Sequence, residues 1–291
     1  MMESYTLFEL SSKKKLAHFL QCSTHDLNKL ASDDYYHIIK IKSAKKYRIC
    51  EVPCDPLLKA HKLVFNDIRK KIVPSWLFSS KGKGYIANAK FHAGSDNIYL
   101  FKMDISKFYP SCSRSNIYNF FRDKNGYGLK GDIAGLLADI LTYKGHVPTG
   151  SPVSGLLAFW SYYDCFNEIY LYSKAKNFKM SLYVDDITFS GKRRPSRLFV
   201  SRIINILNRY GLLLNNDKLK FYNPHCPKLV TGVIIKPSGN LSVPNKLRKK
   251  IIDVRKEIKN QKIEGHKKSL NSLKGLENSA FQIQKIIPIQ T

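Results

Sequence analysis

Acidic residues are scarce in this chain of 291 residues: 22 Asp and Glu stand against 49 Lys and Arg, a formal net charge of +27. Such an excess repels itself in a folded protein unless a polyanion neutralises it. Nucleic acid is the first candidate, because each bound phosphate releases condensed counterions. A membrane surface is the rival, but the basic residues are spread along the chain and form no single amphipathic or juxtamembrane cluster. Long apolar runs are missing too. The most apolar stretch, Gly155 to Tyr163, is far too short to span a bilayer. Met1-Met2-Glu3-Ser4 does not begin the basic-then-apolar pattern of a secretory signal. Cysteines are few and scattered, at Cys22, Cys50, Cys54, Cys112, Cys165 and Cys226. Cys50 and Cys54 have a loose metal-like spacing, yet no second Cys/His pair follows at zinc-site distance. Reduced, incidental thiols and a cytoplasmic location are therefore expected. Repeats and low-complexity tracts are also absent. Hydrophobic residues at 43% and charged residues at 24% are ordinary globular values, which excludes wholesale disorder.

What is present is a mixed pattern. Leu7 to about Ile41 reads as helical, with Leu16, Phe19 and Leu20 at helix spacing. Tyr47 to Val52 reads as a strand, Leu57 to Ile68 as a helix and Ser79 to Tyr85 as a loop. Asn97 to Asp104 alternates like a strand. Ser115 to Phe121 and Gly131 to Leu141 read as helices, and Ser151 to Leu171 as one long apolar helix. Met180 to Phe189 is β-branched and aromatic around two aspartates, which predicts a hairpin with acids at its tip. Leu198 to Tyr210 is an amphipathic helix. Lys218 to Tyr222 and Lys228 to Ile235 read as strand pieces, and the segment from Pro244 is basic and helical. This order predicts an α+β fold with an antiparallel sheet backed by helices.

Three acids stand out. Asp104 ends the apolar strand Tyr99-Leu100-Phe101-Lys102-Met103-Asp104, and Asp185 and Asp186 lie side by side within Leu182 to Phe189. Aspartate is depleted in strands, and a desolvated carboxylate is costly unless it is paired or holds a metal. Adjacent acids in an apolar run call for a cation. Phosphoryl transfer gives one reason: two magnesium ions roughly 3.5–4 Å apart can activate the attacking hydroxyl and hold the leaving oxygens. Neighbours on a regular strand face opposite sides, so only one of the doublet can point straight at Asp104 unless a turn brings both near. Asp185 is favoured as the bridging ligand and Asp186 as a supporting one. The competing reading of the doublet alone is a solvated turn.

Three segments in order, Phe101 to Ser111, Pro148-Thr149-Gly150-Ser151-Pro152-Val153-Ser154 and Tyr183-Val184-Asp185-Asp186, resemble motifs A, B and C of reverse transcriptases. Asn88-Ala89-Lys90-Phe91-His92 and Val230-Thr231-Gly232 resemble two elements of the retron reverse transcriptases, a bacterial branch related to the group II intron enzymes. Gly211 to Lys218 resembles motif D. The resemblance implies a right-hand fold. Residues 1–97 would form the N-terminal helices and fingers, 98–111 and 148–235 the palm, 112–147 a further fingers segment and 236–291 a basic helical thumb.

It also implies roles. Asp104, Asp185 and Asp186 would be the catalytic and metal ligands for two Mg2+ ions. Arg48, Lys83, Phe108, Tyr109, Thr149, Gly150, Ser151 and Lys218 would bind the incoming deoxynucleotide, Tyr109 excluding a 2′-hydroxyl. Asn88, His92, Thr231, Gly232, Arg248, Lys249 and Arg255 would contact RNA. For Asn88, His92, Thr231 and Gly232 the competing reading is a structural turn with satisfied hydrogen bonds. From Lys246 to Lys268 basic residues interleave with Leu247, Ile251, Ile252, Val254 and Ile258, which suits a helix with one face packed and the other on phosphates. The partners implied are a cognate noncoding RNA of msr–msd type, its msDNA product, dNTPs and an effector protein, with no membrane.

Four positions depart from the family pattern: Thr149 and His61 stand where glutamine is common, Val184 where alanine is frequent and Lys83 where arginine is usual. None removes a metal ligand. Another bacterial defence or group II intron-type reverse transcriptase, or a non-catalytic RNA-binding scaffold, is the alternative. The short stretch after the basic helices argues against a full intron protein, and the intact acids argue against the scaffold.

Overall fold

The structure, a computed structural model, describes residues 5–43, 46–94, 96–260 and 266–285. In chain order its elements are α1 (Lys13–Leu20), α2 (Asp26–Leu30), β1 (Tyr36–Ser43), β2 (Lys46–Pro53), α3 (Leu57–Ile68), α4 (Tyr85–His92), β3 (Tyr99–Asp104) and α5 (Phe108–Ser111). Then come α6 (Arg114–Arg122), α7 (Gly131–Ile140), α8 (Ser154–Ser161), α9 (Tyr163–Ala175), β4 (Lys179–Tyr183), β5 (Asp186–Gly191) and α10 (Arg197–Arg209). Last are β6 (Lys220–Tyr222), β7 (Lys228–Val230), β8 (Val233–Ile235), β9 (Leu241–Ser242), α11 (Asn245–Asn260) and α12 (His266–Lys285). The mixed α+β class holds, and every strand pair in its sheets is antiparallel.

Three local expectations are corrected. The helical reading stops before Tyr36, because the β-branched run His37 to Ile41 pairs with β2 in register from Tyr36↔Pro53 to Ser43↔Lys46. The long helix over 151–171 breaks at Tyr162 (φ −120°, ψ 19°), whose buried ring sends its hydroxyl to the Ser111 carbonyl at 2.9 Å. The 228–235 strand is two strands joined by Thr231-Gly232, both at positive φ (43° and 87°), the pattern of a type I′ hairpin turn.

The chain forms two compact units. One comprises Met1–Pro74, Ile105–Tyr170 and Ser201–Asn215. Its helices present apolar residues at helical spacing, such as Ile117, Phe120 and Phe121 on α6, and α6 packs on α7 and α8. Ser113 caps α6 by accepting from the Asn116 amide, and Arg114 ion-pairs with Asp139 across the α6–α7 contact. The β1–β2 ribbon exposes Ile38, Ile39, Ile41, Tyr47 and Ile49.

The other unit comprises Ser75–Asp104, Leu171–Val200 and Asn216–Thr291. Its centre is a four-stranded sheet in the order β4-β5-β3-β6. Residues directly opposite on antiparallel strands share a face. One face is therefore Phe101 and Met103 of β3 beside Phe189 and Ile187 of β5, all buried, with Phe101 stacked on Phe189 and Phe221. The opposite face carries Leu100, Lys102 and Asp104 beside Ser190, Thr188 and Asp186. A second sheet, β7-β8-β9, packs with α4 around Ile86, Ala89, Leu100, Val230, Val233 and Ile235. Helices α11 and α12 pack together, and α11 turns Leu247, Ile251, Val254 and Ile258 inward at i, i+4, i+7, i+11 spacing. No helix among the described residues is long and apolar enough to cross a membrane.

Candidate active site

The three acids meet at one end of the four-stranded sheet. Asp104 is the last residue of β3 and lies directly opposite Asp186, the first of β5. Tyr183 pairs with the same Asp186, so Val184 and Asp185 form the two-residue tip of the β4–β5 hairpin. The turn resolves the alternation problem: Asp186 is in register with Asp104, and Asp185 precedes it at the tip. Val184 takes φ +58°, the pattern of the first position of a type II′ turn. A β-branched residue is an outlier there and stores about 1–3 kcal/mol of strain, which the surrounding sheet must offset.

Like charges opposite one another destabilise a strand pair. Here two ammonium groups answer them. Lys218, in the short turn Asn216–Lys218, places Nζ 2.7 Å from Asp104 Oδ2, and Lys102 places Nζ 2.8 Å from Asp186 Oδ2. The carboxylate of Asp185 has no such partner among the described ion pairs; burial and then the charges of Asp104 and Asp186 push its pKa up, against a weaker pull from Lys218. Burial also raises Asp186, with Lys102 opposing it. As they stand, no three acidic, histidine or cysteine side chains among the described residues converge as a ready-made metal site. The donor set nevertheless fits a hard divalent cation: three carboxylates at one sheet end, with mutual repulsion that a cation would relieve.

Lys83 does not extend freely. Its Nζ donates to the Ser75 and Leu77 carbonyls at 2.8 and 3.0 Å, over the Phe78 ring. The two retron-like elements meet each other. Thr231 donates through Oγ1 to the Tyr85 carbonyl at 2.7 Å, and Asn88 Nδ2 donates to Thr231 Oγ1 at 3.4 Å. Asn88 is fully buried, while Gly232 is exposed at the turn. His92 is buried beneath the sheet between Ser190 Oγ (2.7 Å) and Ser181 Oγ (2.8 Å), and burial lowers its pKa to about 3. A side chain so enclosed has no face for RNA. The expected RNA contact of His92 gives way to the structural reading, because its side chain fastens α4 to β4 and β5. Asn88 ties α4 to the β7–β8 turn through Nδ2, while its buried Oδ1 has no hydrogen-bond partner among the described residues.

On α11, Lys249 is exposed and Arg248 lies 3.4 Å from Ser242 Oγ. Arg255 pairs with Glu277 of α12 through Nε (3.0 Å) and a shorter Nη2 contact (2.5 Å), a surface pair that competes with the expected phosphate contact. Ile252, expected to be packed, is half-exposed. Lys262 lies outside the described residues.

In the first unit, Arg48 is exposed on β2 opposite Ile41. Phe108 is buried edge-on to Phe166, so its side chain belongs to the core, and Tyr109 beside it is half-buried. Motif B is tied to this unit's own strand and helix. Thr149 Oγ1 donates to the Ile49 carbonyl (3.1 Å), and its amide donates to Glu51 Oε2 (2.9 Å). The Gly150 amide donates to the Glu51 carbonyl at 3.0 Å. A Cβ on Gly150 would stand 2.6 Å from Val52 Cγ2 and 2.7 Å from that carbonyl. Glycine is thus required by the approach of β2. Ser151 Oγ lies 2.6 Å from His61 Nδ1. Sequence reasoning passed over Lys102, Glu51, Ser181 and Ser190. Only Lys102 had a legible signal, its position two residues before Asp104 on the same strand face.

No protein-family model matches the chain. Among curated proteins it is 29% identical over 208 residues to the Retron Se72 reverse transcriptase of Salmonella heidelberg, a match covering 67% of this chain and 52% of that protein. It is 25% identical over 272 residues to the Retron Ec83 reverse transcriptase of Escherichia coli, covering 86% of this chain and 83% of that one. The chain thus spans about half the length of the first relative and most of the second. Among solved structures, telomerase from Candida albicans in complex with a fragment of telomeric RNA matches with a TM-score of 0.51 at 12% identity, over 87% of this chain and 55% of that one. Apo telomerase from Candida tropicalis matches with a TM-score of 0.51 at 13% identity, over 80% and 55%. These likenesses show a shared fold. The resemblance to retron reverse transcriptases extends well beyond the short motifs that first suggested it.

Proposed function

We propose that this chain is an RNA-directed DNA polymerase of the retron type, with a right-hand arrangement of fingers, palm and thumb. The observation that carries the reading is the pairing of Asp104 with Asp186 across β3 and β5, with Asp185 at the adjoining hairpin tip. Supporting it are the similarity to two retron enzymes and the chain's large positive charge.

Asp104, Asp185 and Asp186 would hold the two magnesium ions expected of such an enzyme. Bound there, divalent cations supply charge neutralisation at the attacking and leaving oxygens. The chain's own residues do the rest. The β3–β5 register fixes two carboxylates side by side, and the strained tip holds the third. Lys218, more than half exposed, can leave Asp104 for the charge of a departing pyrophosphate. Arg48, Lys83, Phe108 (through its backbone amide), Tyr109, Thr149, Gly150 and Ser151 are proposed as nucleotide-binding positions. Thr231, Gly232, Arg248 and Lys249 are proposed as RNA-binding positions. The template would be a cognate structured RNA, primed from the 2′-hydroxyl of a branching guanosine to give msDNA, with an effector protein and a role in antiphage defence.

The test is incorporation of labelled deoxynucleotides by the chain co-expressed with its neighbouring noncoding RNA. Wild type is expected to make DNA joined to RNA by a 2′,5′ branch, and Asp185→Ala to lose at least about a thousandfold of that rate. A wild-type protein that binds RNA and makes no DNA would establish the scaffold reading. DNA without the branch would leave a reverse transcriptase of another type.

A further inference from the structure

We propose that Lys102 is a positioning residue that serves as the counter-ion of Asp186 in the metal-free protein and yields its place when a divalent cation binds. The inference rests on the reading of Asp104, Asp185 and Asp186 as cation ligands.

Asp104 and Asp186 are directly opposite on antiparallel strands, so their carboxylates project from one face at close range. Two like charges so placed hold a strand end together only if cations neutralise them. Each carboxylate has its own: Lys218 on Asp104 at 2.7 Å and Lys102 on Asp186 at 2.8 Å. The two lysines are not equivalent. The Lys218 side chain is 55% exposed and can turn into water, whereas that of Lys102 is 16% exposed beside an Asp186 side chain exposed by 20%. A half-buried ammonium needs its partner as much as the carboxylate does.

Lys102 stands opposite Thr188, as Asp104 stands opposite Asp186. Thr188 Oγ1 is buried and has no hydrogen-bond partner among the described residues. That hydroxyl is an acceptor to which the ammonium can turn on leaving Asp186. The four-carbon stem allows the swing. A divalent cation and the ammonium compete for the same oxygen. The sign of a substitution then differs from that at a ligand: removing Lys102 strengthens cation binding and weakens the metal-free protein.

The experiment is calorimetric titration of the full chain with MnCl2, without nucleic acid, alongside thermal unfolding with and without the ion. Lys102→Met should bind Mn2+ roughly tenfold more tightly than wild type. Its melting temperature should fall in the absence of metal and return to the wild-type value at saturation. Lys102→Arg, which keeps the charge, should behave as wild type. Equal or weaker binding by Lys102→Met, with binding lost in Asp186→Asn, overturns the proposal and leaves the carboxylates as ligands. Absence of Mn2+ binding by both wild type and Lys102→Met overturns the proposal together with the ligand reading. If Lys102→Met does not fold without metal, the double variant Lys102→Met/Asp186→Asn should fold, because both charges are gone. A Lys102→Met penalty that persists undiminished in the Asp186→Asn background also overturns the exchange.

Discussion

His61 illustrates how much a single side chain can hold. Its Nε2 lies 2.8 Å from the Ile140 carbonyl, which can only accept, so that nitrogen carries the hydrogen and Nδ1 accepts from Ser151 Oγ at 2.6 Å. Burial lowers its pKa to about 4. The unfolded ring titrates near 6.5, so the unfolded chain takes up the proton first on acidification. The stability held by the neutral ring is fully present above pH ~6.5 and is lost as pH falls toward 4, a loss of up to about 3 kcal/mol. His61→Gln, which keeps a hydrogen-bonding side chain without that titration, should flatten this part of the acid limb when denaturant midpoints are followed from pH 7 to 4. An unchanged difference from wild type across that range would mean that the ring is not held neutral. Sequence alone showed His61 only as a departure at a glutamine position; its two partners come from segments some 80–90 residues away in the chain.

Among the elements, the β4–β5 hairpin was legible because a β-branched, aromatic run enclosing two acids has few other ways to fold. The roles of α4 and of the 231–232 turn were not legible. Asn88 meets Thr231 across 143 residues of sequence, and His92 reaches Ser181 and Ser190 across 89 and 98. No local pattern encodes such a contact. The motif B loop is a similar case, for its glycine fits against β2. Gly150→Ala should push the loop off that strand, because the Glu51 carbonyl cannot retreat without breaking the ribbon. The expected cost is about 1–3 kcal/mol, measurable by thermal unfolding. A variant as stable as wild type would show that the loop has room to shift.

For the molecule as a whole, the charge of +27 makes any RNA affinity depend steeply on salt. The proposed RNA-binding positions on α11 are separable by this property. Changing Arg248 and Lys249 together to Gln should lower the magnitude of the log–log salt slope by about one to two. Arg255→Gln should leave the slope unchanged and reduce stability by at most about 1 kcal/mol, because its exposed guanidinium is paired with Glu277. Filter binding over a salt series distinguishes the two. A slope change for Arg255→Gln as large as that for the pair would place this arginine on phosphate after all.

The amino-acid order by itself determined the α+β class, the excess of positive charge and the candidacy of the three acids. The class and the charge depend on composition or on periodicity within a few residues, and the acids on the resemblance of the segments around them. Only the tertiary structure decided that Asp186 is the register partner of Asp104, that Lys102 and Lys218 neutralise them, and that Asn88 and His92 face inward. Those facts depend on which strands pair and in what register, and register is set by the fit of side chains far apart in sequence.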